Sequence, residues 1–157
     1  MKTILNSTQR KQQLKRLRTL RPETIAKWGL LTPGDLLPHL TDPFKIATGE
    51  FEAKTVNSFF STAVGRFLAI YMMPRWPRGA PTHPKTDITK DGRKGKDFEK
   101  DMSELINAID RFVQLSAQMK FHDHAIFGKL SNKVWGIVMN KHLDHHFRQF
   151  GIYNLSL

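Results

Sequence analysis

The sequence predicts an all-α protein, an up-and-down four-helix bundle with an extra N-terminal helical segment and a long Pro/Gly-rich basic loop. Three observations carry this. Several stretches repeat apolar residues at helical spacing, start and stop signals bracket them, and neither strand alternation nor an internal repeat appears anywhere. Four or five helices without strands pack most simply as a bundle.

The elements follow in order. Ser7 to Leu20 is a basic segment with Leu14, Leu17 and Leu20 spaced by three, a first helix. Thr32-Pro33-Gly34-Asp35 is a helix start, with a capping Thr, Pro at the first helical position and an acid three residues on. The run that follows ends at Gly49, a natural C-terminal stop. It contains Pro38 and Pro43, each costing about 3 kcal/mol inside a helix, so this element is expected to be kinked or irregular. Asn57 to Met73 reads as a third, strongly apolar helix stopped by Pro74. Residues 74–96 are dense in Pro, Gly and charge, a loop of the length that compact domains keep for function. Asp97 to Leu115 resumes helical periodicity through Phe98, Met102, Leu105, Ile109 and Phe112. Ser131 then caps a last helix running to about Phe150, with Gly151 as its stop.

At 157 residues the chain is expected to form one domain spanning 1–157. It has no cysteine, which excludes disulfides, a thiolate nucleophile and thiolate zinc sites, and fits a reducing compartment. The N-terminal apolar run is too short for a signal peptide, and the longest apolar stretch, Phe67 to Met73, is far short of a bilayer span. A cytoplasmic protein with no membrane association is the expectation. The net charge of +11 is localised. The N-terminal segment 1–27 holds eight Lys or Arg against one Glu, and the loop 74–96 holds seven against two Asp. Such patches attract anions generally, or simply solvate the surface. The aromatics look core-bound rather than interleaved with basic residues, which disfavours a nucleic-acid binder.

KHLDHHFRQFG, Lys141 to Gly151, holds three histidines in five residues. On a helical wheel at ~100° per residue, with His142 at zero, His146 falls at about +40°, Trp135 at +20° and Val138 at −40°. Both histidines therefore lie in the apolar stripe, one turn apart, the spacing two imidazoles need to share one ion. His145, at about −60°, marks the edge of the stripe. The third candidate is His39, which clusters with Leu36, Ile46 and Ala47 on an inward face. Three neutral imidazoles leave coordination positions open, as a catalytic site does, and favour zinc, nickel, copper or iron over magnesium or calcium. The competing reading is a set of core histidines held neutral by single hydrogen bonds. His83, His122 and His124 read as loop histidines. Asp42, three residues after His39, is a candidate acceptor that could orient that ring.

WGLLTPGDLLPHLTD, WPRGAPTHP and FGKLSNKVWGIVMNKHLDHHFRQFG together resemble a subgroup of the DinB-like (DinB/YfiT) metalloenzyme superfamily, a subgroup itself described as a domain of unknown function. The resemblance runs from about Trp28 to Gly151. It implies a four-helix bundle, a homodimer, and a metal held by His39 from the second helix with His142 and His146 from the last. His145 belongs to the subgroup's double-His signature and is the runner-up ligand. Two departures stand out: Pro38 and Pro43 flank His39, and the loop FHDHAIFG lacks the proline of the family's His-Pro-x-Phe-Gly segment.

Characterised relatives include thiol S-transferases and an isomerase acting on a thiol adduct. The resemblance therefore implies a metal-dependent transferase, with a zinc or nickel ion activating a low-molecular-weight thiol towards a small-molecule substrate. Arg75 and Arg78 of the basic loop, with Arg93 and Lys94, are the candidates to attract a carboxylate-bearing thiol. The alternatives are a non-enzymatic metal-binding or stress-related module and, last, a basic nucleic-acid-binding protein.

Overall fold

The structure is a computed structural model that describes residues 1–153; the last four of the expected domain, 154–157, lie outside the described residues. The helices are α1 (Ser7–Leu17), α2 (Pro33–Thr48), α3 (Ala63–Phe67), α4 (Phe98–Leu115) and α5 (Asn132–Gln149). Among the described residues no strand forms, and one isolated bridge joins His124 to Gly128. The all-α bundle is as expected. α2 lies along α4, and α5 packs against both α2 and α1.

Burial explains why α2 departs from its expected irregularity. It runs as one α-helix through Pro38 and Pro43. The prolines remove two amides, at about 3 kcal/mol each. Against this, Leu36, Leu37, Leu40 and Phe44 are all fully buried, and each such side chain contributes about 1.5–3 kcal/mol. Packing wins. Phe44 meets Phe112 of α4 edge-on at 5.2 Å, and Phe112 stacks on Phe121 at 4.5 Å, beside Trp135 of α5. This aromatic layer fixes α2 relative to α5, and so sets where their histidines meet.

The third helix is shorter than expected. Phe59–Ser61 forms a 3-10 turn, α3 covers only Ala63–Phe67, and a π-helical turn over Leu68–Met72 completes the element. The Thr62 hydroxyl accepts the Gly65 amide at 3.1 Å and caps a new helix start, because Ser and Thr hydroxyls compete for backbone amides. Gly65 must be glycine, since a Cβ there would lie 2.0 Å from the Phe59 carbonyl oxygen. Of its side chains Ala69 and Ile70 reach the interior, while Val64, Phe67, Leu68, Tyr71 and Met72 are exposed. α1 ends at Leu17 rather than Leu20, although Leu20 still reaches the core.

Candidate metal centre

α5 begins where Ser131 accepts the Val134 amide at 3.3 Å and carries His142 and His146 one turn apart on its inner face. α2 presents His39 opposite them. The three Nε2 atoms form a nearly equilateral triangle: 3.0 Å from His39 to His146, 3.2 Å from His39 to His142, and 3.1 Å from His142 to His146. His39 and His146 are buried, and His142 is partly open to a cavity above the triangle.

The outer nitrogens decide what the inner ones carry. The Thr86 carbonyl can only accept, so at 2.7 Å it takes a proton from His39 Nδ1. The Gln149 amide donates to the Trp28 carbonyl at 2.8 Å, which turns its Oε1 towards His146 Nδ1, 2.7 Å away. His146 must therefore donate from Nδ1 as well. Both rings thus hold a bare lone pair on Nε2, and those two nitrogens stand 3.0 Å apart. No hydrogen bond joins two acceptors, and His142 has at most one Nε2 proton to offer.

A cation at the centre would resolve the conflict. The centre of such a triangle lies about 1.8 Å from each nitrogen, just inside the ~2.0–2.1 Å that zinc–imidazole bonds require. Burial pushes the pKa of all three rings below the ordinary histidine value, well below it for His142 and His146, which keeps them neutral as ligands must be. These three residues form a cluster able to hold a metal ion.

The remaining predicted residues are distributed differently. His145 lies edge-on to His146, ring centroids 4.9 Å apart, and outside the cluster. Its Nδ1 is buried without a hydrogen-bond partner. His83 accepts the Lys85 amide and donates to the Lys54 carbonyl, a loop-fixing role. His124 accepts the amides of Ile126 and Phe127 on Nδ1, and burial lowers its pKa to about 3. His122 is exposed beside Gly49.

Asp42 does not orient His39. Its carboxylate is nearly fully buried and bound by Arg93 at 2.6 Å, so its charge is compensated there. Burial pushes its pKa up, and the Arg93 hydrogen bond opposes this. Arg93 is accordingly engaged, and also pairs with Glu104 at 3.4 Å. Arg75 and Arg78 are exposed and do not line the cavity above the histidines. Arg75 borders a separate hollow with Lys141 and Arg148. The Arg78 guanidinium lies over the Trp28 ring, 4.6 Å from its centroid.

Thr86 and Gln149 are the supporting residues that sequence reasoning missed. Gln149 follows His146 by three positions on one helix, a spacing that puts the two side chains in reach. Thr86 acts through its backbone, which leaves no trace in residue type. Gln149→Ala removes the acceptor that fixes His146, so metal affinity is expected to fall about 10–100-fold, measured by competition with a chromogenic chelator.

No described helix is long and apolar enough to cross a membrane. Neither the curated proteins nor the solved structures contain a match to this chain. A family sequence model matches residues 2–151, nearly the whole chain. The chain belongs to the family described as protein of unknown function DUF1569.

Proposed function

We propose that this protein is a metal-dependent enzyme of the DinB-like superfamily, holding one divalent zinc or nickel ion on His39, His142 and His146 to activate a low-molecular-weight thiol. The observation that carries the reading is the pair of bare Nε2 atoms of His39 and His146, 3.0 Å apart. When bound, the ion would supply Lewis acidity, lowering the pKa of a coordinated thiol or water. The protein's part is to hold three neutral rings with their outer nitrogens tied down. It also keeps the inner nitrogens at the floor of a cavity of about 360 Å³. The chain has no cysteine, so any sulfur nucleophile comes from a second molecule.

The test is turnover. Metal-loaded protein given cellular thiols and a chloroarene or epoxide is expected to form thioether above a His142→Ala control, followed by mass spectrometry. Metal uptake without thiol dependence would favour the non-enzymatic module instead.

The expected homodimer has a face to use. Val64, Phe67, Leu68, Tyr71 and Met72 expose an apolar row, and soluble monomers rarely leave large patches uncovered. Sedimentation is expected to give a dimer for the wild type and a monomer for Phe67→Glu.

A further inference from the structure

The cavity above the histidines is a mismatch with the protein around it. The chain carries 25 Lys and Arg residues, yet none of them lines this space. Among the described residues its only formally charged lining residue is Asp87; six of the seven histidines line it, and much of the remaining wall is apolar, with Leu31, Ile46, Ile88, Phe127 and Val138. All three tryptophans of the chain, Trp28, Trp76 and Trp135, also line it. Asp87 is bonded by the Thr89 hydroxyl at 2.7 Å, an interaction that holds its carboxyl below the usual carboxylate range and hence ionised.

In the metal-free protein an anionic group entering this space would lose its hydration with no lining Lys or Arg to replace it, and would meet the Asp87 carboxylate. Burying an unpaired carboxylate is among the costliest transfers a protein surface can impose. An uncharged apolar body loses nothing comparable and gains the area it covers.

We infer that the cavity binds an uncharged, apolar small molecule, aromatic or alicyclic, and discriminates against carboxylates. This deepens the reading above by taking the same cavity as the substrate site. It reassigns the expected carboxylate-bearing ligand: Arg75 and Arg78 serve the outer surface, and the substrate body is neutral. The assignment stands on the walls alone and does not require the ion.

The tryptophans make the test direct. Adamantanol and adamantane carboxylate share a compact apolar cage and neither absorbs with tryptophan, so each is titrated against chelator-treated protein with intrinsic fluorescence as readout. Adamantanol is expected to change the emission saturably, and the carboxylate to bind at least tenfold more weakly. Ile88→Lys, at a partly exposed loop position, is expected to reduce that preference several-fold by supplying the missing cation. Equal or tighter binding of the carboxylate by the wild-type protein overturns the inference. So does the absence of saturable binding of adamantanol while calorimetry shows the protein folded. Adamantanol binding by protein that takes up no metal would leave this inference intact and remove the metal reading instead.

Discussion

Protein purified without a histidine tag and dialysed against zinc or nickel is expected to hold one ion per chain by elemental analysis, and His39→Ala, His142→Ala and His146→Ala to hold almost none. The effect is expected to be large because each substitution would remove one of the three histidines that form the cluster. Binding should also register as stability. At an ion concentration a thousandfold above the dissociation constant, the folded state gains about 4 kcal/mol. For a chain of this size, 1 kcal/mol moves the midpoint by about 2–4 °C, so the loaded protein is expected to melt roughly 8–16 °C higher. The alanine variants separate the two readings of the cluster. If the histidines were packing alone, added metal would leave the melting curve of the wild type where it was.

Metal-free protein is expected to lose stability steeply on mild acidification. His39, His124, His142 and His146 all have folded pKa values lowered by burial, that of His124 to about 3. In the unfolded chain each titrates near 6.5. Between about pH 6.5 and the folded values, the unfolded state binds more protons, so stability present above 6.5 is lost as pH falls. A ring whose folded pKa lies well below the window, as that of His124 does, contributes at most about 1.4 kcal/mol per pH unit there. The four rings act in the same direction over this window, so the loss is expected to be steep. Denaturant titrations at pH 7.5, 6.5 and 5.5 measure the slope. His124→Asn retains an acceptor for the Ile126 and Phe127 amides and is expected to make that slope shallower. A pH-independent denaturation midpoint across this range would contradict the burial of these rings as neutral groups.

Helix ends and faces were legible in the sequence because their causes are local. Thr32-Pro33 starts α2, Ser131 starts α5, and the period of 3.6 puts His142 and His146 on one inward face. His39 was found the same way, by its place among inward apolar residues. What the sequence hid depends on distant partners. The continuity of α2 through two prolines comes from its burial against α4, and Asp42 pairs with Arg93 rather than with its neighbour His39. The apolar composition of Asn57–Met73 suggested one buried helix. Competing hydroxyls and the close approach at Gly65 broke it into turns that face outward. The arginines of the loop misled for a simpler reason: charge in a sequence segment says nothing about which surface the segment turns towards.

His39 and His146 are 107 positions apart along the chain and belong to helices joined only by packing. An ion gripped by both would close a loop of about that length, the task that covalent sulfur bridges perform in secreted proteins. Cross-links spanning about a hundred residues stabilise by up to about 4.7 kcal/mol through the entropy they take from the unfolded chain. Having no cysteine, this protein would have in such an ion a bridge that dissolves when the metal is withdrawn. Its persistence in a cell would then follow the supply of a trace element as closely as the temperature.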